Sequence, residues 1–462
     1  MKEYTTEHLR NIALVGHQGA GKTSLVEALL YNTGAITRLG RVEEKNTVSD
    51  WDEDEKERGL SLSTSLIPIE FNDHKINILD TPGYTDFQGE VKNAIRVTDS
   101  VLVVVDAVAG VEVGTELAWE YARAYQQPII VTINKMDRDN ADFDRALSSL
   151  RERFPDYKFI PVMLPVGQQA DFKGVVNLLT MKAYYGAGAE RSDLPADMAD
   201  AAEEARMVLT EAAAEADDQL IEKYFEEGAL SNEEIRDGMR QAARNHELNT
   251  VPVFVTSGTK NIGTVPLLEA LIAYASPPSV RRVQVTDASG ETTYLMPPQS
   301  DSGPLAAYVF KSINDRFVGA LSFFRIFSGS IQADQRYFNV TRQVEERLGN
   351  LFIMRGKEQI TVSTLHAGDI GVAAKLSATK TGDTITTRAN PLEVTRPEFP
   401  APLYLVAVTP RTQADGTKMG TVLTSLAEAD PTLRWRQDPD THQTIIEGMG
   451  EAHVNLAISR AE

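Results

Sequence analysis

Short apolar runs alternate with amphipathic stretches over the first third of the sequence. The apolar runs are "NIALVG", "TSLIPIEF", "KINILD", "VLVVVD" and "PIIVTIN", and helical periodicity appears between them in segments such as "KTSLVEALLYNTG". Nearly continuous apolar runs are typical of strands that are buried on both faces of a parallel sheet. Their alternation with helices predicts an α/β domain. The polar turn "FNDHK" further predicts that the second and third strands form an antiparallel hairpin.

The pattern changes after residue 156. Strand-like segments and then an Ala- and Glu-rich helical region occupy residues 157–250, and the α/β pattern resumes with "TVPVFVTSG" and the amphipathic stretch "VPLLEALIAYA". We therefore predict one α/β domain formed by residues 1–156 and 251–285. An α+β subdomain, residues 157–250, is inserted into it.

Two further domains are predicted downstream. Residues 286–303 are rich in Pro, Ser and Asp and read as a linker. Residues 304–397 contain many short strands with turn signals, which predicts an all-β barrel. Residues 398–462 follow a β-α-β-β-α pattern, a ferredoxin-like α+β domain without its last strand. We therefore expect the sequence to be a fragment of a longer protein.

Composition narrows the class of protein. With 462 residues we expect two to four domains. A net charge of −20 argues against sequence-blind binding of nucleic acid. The absence of cysteine excludes disulfides, thiolate catalysis and Cys-ligated metals. The apolar runs are too short to span a bilayer, and the N-terminus lacks an apolar signal core. We expect a soluble, cytoplasmic protein with no membrane partner.

The first chemical motif is "GHQGAGKT", which fits G-x-x-x-x-G-K-T and lies between a strand and a helix, as a phosphate-binding loop requires. Its amides and the helix N-terminus would hold the β-phosphate. Lys22 would reach the β- and γ-phosphates, and the Thr23 hydroxyl would ligate Mg²⁺. The candidate residues are Gly16, His17, Gln18, Gly19, Ala20, Gly21, Lys22 and Thr23.

The second motif is "DTPG", formed by Asp80, Thr81, Pro82 and Gly83 at the end of a strand. Alone, such a run is more often a simple turn. In this sequence the run lies about 60 residues after the lysine of the phosphate loop. That spacing favours a nucleotide switch. Asp80 would hold Mg²⁺ through a water molecule, and the Gly83 amide would sense the γ-phosphate. Tyr84 follows, where the attacking water is expected, and a phenol is a poor general base because its pKa is near 10.

The third motif is "NKMD", formed by Asn134, Lys135, Met136 and Asp137 after a strand. The Asp137 carboxylate can accept both N1–H and N2–H of guanine, a donor pair that adenine lacks. Asn134 would bind the base edge or tie the site to the phosphate loop, and the Lys135 stem would lie over the purine. In "TSG", which starts at Thr256, Ser257 and Gly258 would add backbone contacts to the base.

A charged segment, "VSDWDEDEKERGLSLSTS", precedes the second strand. Charge runs are usually solvated surface, but this one ends where GTPases place a hydroxyl that closes over Mg²⁺ and the γ-phosphate. Ser61 is our candidate for that hydroxyl, so the predicted metal ligands are Thr23, Ser61 and, through water, Asp80. Together the motifs predict Mg²⁺–GTP binding, with GTP and GDP as ligands. A kinase or general ATPase would not need the Asp137 carboxylate.

The motifs and much of the remaining sequence resemble elongation factor G. The resemblance covers residues 10 to 455 and includes "GHQGAGKTSLVEALLYNTGAI", "DTPGYTDF", "NKMD", "FVGALSFFRIFSG", "TGDTI" and "DPTLRWRQDPDTHQTIIEGMGE". It implies a P-loop GTPase domain with an insertion, a β-barrel second domain and most of a third domain. It also implies GTP hydrolysis that is stimulated by the ribosome, through ribosomal RNA and ribosomal proteins, and coupled to translocation or recycling. The residues implied in catalysis are Lys22, Ser61, Gly83 and Tyr84.

Three positions depart from the pattern of that family. Tyr84 stands where the family usually has His, Gly19 where it has an Asp, and Ser61 where it has Thr. The sequence therefore resembles the divergent, second-type branch of elongation factor G more than the housekeeping translocase. We expect Tyr84 to position water through its hydroxyl, since phosphoryl transfer relies mainly on positioning and electrostatics.

The alternatives left open are a GTP-occupancy switch with weak hydrolysis that regulates a complex, and a GTPase that protects ribosomes from tetracycline-type drugs. The sequence does not separate translocation from recycling or protection. We expect the fragment to be a monomer.

Overall fold

The computed structural model describes residues 1–295, 301–315 and 319–461. Two units can be separated in it. The first unit comprises Arg10–Gly83 and Thr98–Ser276, and the second comprises Met1–Leu9, Tyr84–Val97 and Pro277–Glu462. The segment that begins at Tyr84 therefore belongs to the second unit, although it interrupts the first unit in sequence.

Eleven strands precede residue 276 in the part of the chain that the structure describes. They are β1 (Leu9–Val15), β2 (Ser65–Phe71), β3 (His74–Asp80), β4 (Ser100–Asp106), β5 (Ile129–Asn134), β6 (Lys158–Pro161), β7 (Met163–Val166), β8 (Gly174–Asn177), β9 (Lys182–Tyr185), β10 (Glu190–Asp193) and β11 (Thr250–Val255). The helices of the same stretch are α1 (Lys22–Asn32), α2 (Glu53–Arg58), α3 (Gln88–Val97), α4 (Val113–Ala124), α5 (Phe143–Arg153), α6 (Ala199–Ala214), α7 (Asp218–Glu227), α8 (Asn232–Arg244) and α9 (Thr264–Tyr274).

The main sheet of the first unit has seven strands in the order β2-β3-β1-β4-β5-β11-β6. The pairs from β1 through β4, β5 and β11 to β6 are parallel, and β2 pairs with β3 as the predicted antiparallel hairpin. Every residue of β1, β5 and β11 is buried, which explains their continuous apolar sequences. The loops after β1, β3, β5 and β11 carry the predicted motifs.

The inserted subdomain has its own four-stranded antiparallel sheet, in the order β10-β9-β8-β7, together with α6, α7 and α8. Its predicted limits, residues 157–250, differ from the structure at the first strand, because β6 pairs with β11 in the main sheet. The sequence of a short strand at this boundary does not indicate whether it pairs in the main sheet or in the sheet of the insertion.

The remaining elements belong to the second unit. The strands are β12 (Val283–Asp287), β13 (Thr292–Leu295), β14 (Ala306–Asp315), β15 (Gly319–Ser328), β16 (Ile331–Gln332), β17 (Gln335–Asn339), β18 (Val344–Leu348), β19 (Leu351–Arg355), β20 (Glu358–Val362), β21 (Thr364–Leu365), β22 (Ile370–Ala374), β23 (Thr384–Thr386), β24 (Leu392–Val394), β25 (Tyr404–Val408), β26 (Arg434–Gln437) and β27 (Thr444–Gly448). The helices are α10 (Gln413–Ala429) and α11 (Glu451–Ala461).

The β-rich domain of this unit is built on an eight-stranded antiparallel sheet in the order β18-β17-β23-β14-β15-β22-β19-β20. The strands β13-β12-β24 form a smaller sheet. Part of the segment predicted as a linker, 286–303, is therefore strand, while 296–300 lie outside the described residues. The motif "FVGALSFFRIFSG" likewise begins outside them, at 317–318, and continues as β15.

The last domain has the predicted order β25-α10-β26-β27-α11. Its three strands form an antiparallel sheet in the order β25-β27-β26. Apolar side chains from both helices, the sheet and the loop before β26 form its core: Leu423, Leu433, Ile446, Val454 and Ala457. Helices packed on one face of an antiparallel sheet are the α+β arrangement that the sequence predicts.

Candidate functional site

The loop Gly16–Thr23 joins β1 to α1 at the carboxyl end of the sheet. The Lys22 side chain is buried, and its Nζ donates to the carbonyls of Gly16 at 3.0 Å and His17 at 3.1 Å. Burial lowers the pKa of Lys22 to about 8, against the opposing effect of the nearby Asp80 carboxylate. The lysine is therefore folded back over the loop, with its ammonium at the place where the motif predicts phosphate oxygens.

Hydroxyls and carboxylates converge next to this lysine. Thr23 Oγ1 donates to Asp80 Oδ2 at 3.0 Å and lies 3.3 Å from Ser61 Oγ. Ser49 Oγ also donates to Asp80 Oδ2, at 2.5 Å, and Ser61 Oγ donates to Asp50 Oδ1 at 2.7 Å. Burial, and next the charge of Asp50, raises the pKa of Asp80 to about 7. The three predicted metal ligands are thus brought together, although Ser61 is 38 positions from Thr23.

Ser49 and Asp50 also belong to this cluster and were not among the predicted site residues. Both are buried, and burial raises the pKa of Asp50 as well. Their sign in the sequence is the dipeptide "SD" at the start of the charged segment. Such a hydroxyl–carboxylate pair carries metal-binding chemistry, but nothing in its spacing distinguishes it from surface.

Two buried glutamates hold the charged segment in place. Glu27 on α1 accepts a hydrogen bond from the Val48 amide at 2.7 Å, and burial raises its pKa. Glu55 on α2 accepts from the amides of Leu62 at 3.0 Å and Ser63 at 3.2 Å. Carboxylates from α1 and α2 therefore hold the backbone at Val48 and directly after Ser61.

The "DTPG" turn packs directly on the phosphate loop. Thr81 Oγ1 donates to the carbonyl of Leu14 at 2.7 Å, which ties the turn to β1, and Pro82 follows. A Cβ placed on Gly83 would meet the Lys22 ammonium and would lie 2.7 Å from the backbone N and Cα of Gln18. Only a residue without a side chain fits this close approach.

Tyr84 directly follows this turn in the chain. Its side chain is 38% exposed, and its ring centroid lies 6.3 Å from that of Phe87. The residue belongs to the second unit and Gly83 to the first. With more than a third of its surface open to solvent, the side chain can be reached by a water molecule.

The "NKMD" loop is tied to two other loops by one side chain. Asn134 Nδ2 donates to the carbonyl of Ala20 at 2.9 Å, and its Oδ1 accepts from Thr256 Oγ1 at 3.1 Å and the Gly258 amide at 3.0 Å. A Cβ on Gly21 would lie 2.5 Å from Asn134 Nδ2, so glycine is required there as well. Of the two roles predicted for Asn134, tying the site to the phosphate loop is the contact that the structure contains.

The carboxylate of Asp137 is oriented from the loop after β11. Ser257 Oγ donates to its Oδ1 at 2.6 Å, and Thr259 Oγ1 lies 3.4 Å from its Oδ2. Lys135 adopts a left-handed backbone conformation, with φ of 66°, and its Nζ forms an ion pair with Asp106 at 2.7 Å. Met136 is fully buried. Thr259 and Asp106 were not predicted, because neither lies in a recognisable motif.

Comparison with known proteins finds families similar to successive parts of the chain. The Elongation factor Tu GTP binding domain matches residues 7–277, Elongation factor G domain 2 matches 304–388, and Elongation Factor G, domain III matches 399–462. A crystal structure of a protein from Thermus thermophilus is similar over 98% of this chain, with 30% sequence identity and a TM-score of 0.86. This chain spans 66% of the length of that protein. Among the described residues, no helix combines the length and apolar character needed to cross a membrane.

Proposed function

The chain belongs to the elongation factor G family of translational GTPases, and on that premise we propose that it hydrolyses Mg²⁺-bound GTP on the ribosome to drive translocation, recycling or remodelling. One observation carries the proposal. Four segments that are far apart in sequence converge at the carboxyl end of one sheet: the phosphate loop, the segment ending at Ser61, the turn Asp80–Gly83 and the loop Asn134–Asp137.

The phosphates would be held by the loop amides, the N-terminus of α1 and Lys22. In the structure the Lys22 ammonium is bound to the carbonyls of Gly16 and His17. On nucleotide binding it exchanges these neutral acceptors for charged phosphate oxygens, which form the stronger hydrogen bonds. The Gly83 amide would then meet the γ-phosphate, since Gly83 already lies against the loop.

The residues present fit a magnesium ion. Asp80 Oδ1 is buried and accepts no hydrogen bond from the described residues, and the neighbouring donors are hydroxyl and carboxylate oxygens, the ligands that Mg²⁺ prefers. Thr23 and Ser61 would hold the ion directly, and Asp80 through water. The bound ion would neutralise charge that develops on the phosphates. Asp50 would orient Ser61, whose hydroxyl donates to it.

The base would be recognised by the loop after β5. The Asp137 carboxylate, held by Ser257, would accept N1–H and N2–H of guanine, while the Lys135 stem would cover the purine face. Gly258 would approach the base through its backbone. Adenine presents no matching donor pair, so the carboxylate oxygens would be left unpaired with ATP.

Hydrolysis would rest on positioning of the water. The Tyr84 side chain is a phenol, which is a poorer general base than an imidazole. Its hydroxyl can still orient a water molecule, which is the main requirement of phosphoryl transfer. Ribosomal RNA and ribosomal proteins would complete the site. We infer that the chain is a monomer and that it acts in the cytoplasm, where ribosomes are found.

A second function is favoured by one observation, the phenol at position 84 in place of an imidazole. It is a GTP-occupancy switch that binds GTP, hydrolyses it weakly and regulates a complex by its nucleotide state. Protection of ribosomes from tetracycline-type drugs is a variant of the first proposal.

Phosphate release from γ-labelled GTP, with and without ribosomes, distinguishes these functions. We expect ribosomes to stimulate release by roughly 10³-fold or more, the scale on which partners complete such sites. Lys22→Ala is the matched control and should abolish both binding and release. Tight GTP binding without release on ribosomes would favour the occupancy switch, and failure to bind GTP would overturn both functions.

A further inference from the structure

A short segment outside the sequence motifs, Glu112–Gly114 at the start of α4, contacts the phosphate loop. The Gly114 amide donates to His17 Nδ1 at 3.2 Å. Because Nδ1 accepts this hydrogen bond, the ring proton is on Nε2, which faces Glu112 Oε1 at 3.5 Å. Both ring nitrogens of His17 therefore face the same segment, Nδ1 at Gly114 and Nε2 at Glu112.

The segment also lies against the turn that follows β3. A Cβ placed on Gly114 would lie 2.9 Å from His17 Cα and Nδ1, and 3.3 Å from the carbonyl oxygen of Gly83. Gly83 in turn leaves no room for a Cβ against the backbone of Gln18. Because Gly83 and Gly114 have no side chains, the phosphate loop, the turn Asp80–Gly83 and the segment Glu112–Gly114 approach one another closely. They meet where the γ-phosphate is expected.

The segment is anchored to the sheet on its other side. The Gly110 amide donates to the carbonyl of Asp106 at the end of β4, at 2.8 Å, and the Val111 amide donates to Ser149 Oγ on α5 at 3.2 Å. The contact with His17 and Gly83 is therefore made by a fixed element of the fold, which limits where Gly83 can move.

We infer that Glu112–Gly114 is a third element that responds to the γ-phosphate, in addition to the segment ending at Ser61 and the turn Asp80–Gly83, and that Gly114 sets the preference for GTP over GDP. The inference rests on the proposed function. The phosphates of GDP need the phosphate loop alone, whereas those of GTP also need the Gly83 amide in place. A change that displaces Gly83 through Gly114 therefore weakens GTP binding more than GDP binding.

The test is Gly114→Ala, with dissociation constants measured for a non-hydrolysable GTP analogue and for GDP. The added methyl would lie 2.9 Å from His17 Cα and Nδ1. Lys22 holds the His17 carbonyl in place, so the first turn of α4 gives way and its close approach to Gly83 is lost. We expect affinity for the GTP analogue to fall by about 3- to 10-fold, the scale of one net hydrogen bond, and affinity for GDP to change by less than about 2-fold. Val113→Ala is the matched control, because Val113 is 58% exposed between the two contact residues.

Glu112→Gln provides a second, milder variant that keeps the shape of the segment. It should shift the GTP-to-GDP affinity ratio in the same direction by a smaller factor. An unchanged ratio in both variants, or an equal loss for both nucleotides in Gly114→Ala, would overturn the inference. If Gly114→Ala does not fold, an unchanged ratio in Glu112→Gln overturns it alone. Binding of GTP by the wild type, measured in the same titration, shows separately whether the proposed function holds.

Discussion

Asn134 donates a hydrogen bond from Nδ2 to the carbonyl of Ala20, 2.9 Å away, and so connects the loop Asn134–Asp137 to the loop Gly16–Thr23. Its Oδ1 accepts from the Gly258 amide at 3.0 Å. One buried amide therefore fixes the relative positions of the three loops that would surround a nucleotide. If GTP binds as we propose, both ends of the nucleotide would depend on this side chain.

Asn134→Ala should weaken GTP and GDP binding to a similar extent. Removing the amide leaves the Ala20 carbonyl and the Gly258 amide without their partner, which we expect to cost about 10- to 100-fold in affinity. Titration with fluorescent nucleotides measures both constants. Asp139→Ala, at an exposed position of the same loop, is the control and should bind like the wild type. Wild-type affinity in Asn134→Ala would mean that the loops hold together without it.

The pKa of Asp80 predicts that Mg²⁺ affinity depends on pH. Burial raises this pKa from 3.8 to about 7, so ionisation of Asp80 lowers the free energy of unfolding of the metal-free protein as pH rises from about 4 to 7. Metal binding needs the carboxylate, so it should release a proton below pH 7. We expect Mg²⁺ affinity, measured by titration with nucleotide present, to be about 10-fold lower at pH 6 than at pH 8.

The Asp80→Asn variant, measured in the same Mg²⁺ titration, separates the pH dependence due to Asp80 from the pH dependence due to protonation of the nucleotide. The variant should bind Mg²⁺ more weakly and lose the pH dependence that belongs to the protein. A pH profile identical to that of the wild type would show that Asp80 takes no part in holding the ion.

Ser61 should matter for GTP and not for GDP. Its hydroxyl lies 3.3 Å from Thr23 Oγ1 and donates to Asp50, but a γ-phosphate is needed to keep such a segment closed over the ion. Ser61→Ala should lower Mg²⁺-dependent affinity for a GTP analogue by about 3- to 10-fold, while Ser61→Thr should retain it. The control is Ser63→Ala, because Glu55 accepts a hydrogen bond from the backbone amide of Ser63, which alanine retains. Equal effects on GTP and GDP would contradict the assignment.

Tyr84 should act through its hydroxyl. Tyr84→Phe should slow ribosome-stimulated hydrolysis by roughly one to three decades, the scale of losing one aligned hydrogen bond in a transition state, and should leave GTP affinity nearly unchanged. Single-turnover hydrolysis on ribosomes measures this rate. Faster hydrolysis by Tyr84→His would mean that the phenol restrains an otherwise intact site. Wild-type rates in both variants would remove Tyr84 from the catalytic residues.

Much of the fold followed from local sequence signals. Buried parallel strands such as β4 and β5 are recognisable as continuous apolar runs. The glycine-rich loop after β1 marks the predicted phosphate site, and at Gly21 only glycine fits. What the sequence did not reveal depends on distant partners. β6 joins the main sheet through β11, and the strands β12 and β13 pair with each other within and beside the predicted linker.

The same limit applies to the candidate site. Ser49 reaches Asp80 across 31 positions, and Glu27 reaches Val48 across 21. In the sequence each of these residues is an ordinary polar residue. Its role depends on its burial, and hydrophobic periodicity does not reveal that a single polar residue is buried. Gly114 is similar, because a glycine at the start of a helix gives no sign of the backbone it will touch.

We propose that the protein is a guanine-specific GTPase whose hydrolysis is stimulated by the ribosome. The most direct test of this proposal exchanges the substrate: Asp137→Asn removes the carboxylate that would pair with guanine, so ribosome-stimulated hydrolysis should shift from GTP to xanthosine triphosphate. We predict that the variant hydrolyses xanthosine triphosphate on ribosomes, that its rate with GTP falls by about 100-fold or more, and that the wild type shows the opposite preference. Hydrolysis of GTP at the wild-type rate by Asp137→Asn, or no stimulation of either protein by ribosomes, would contradict the account.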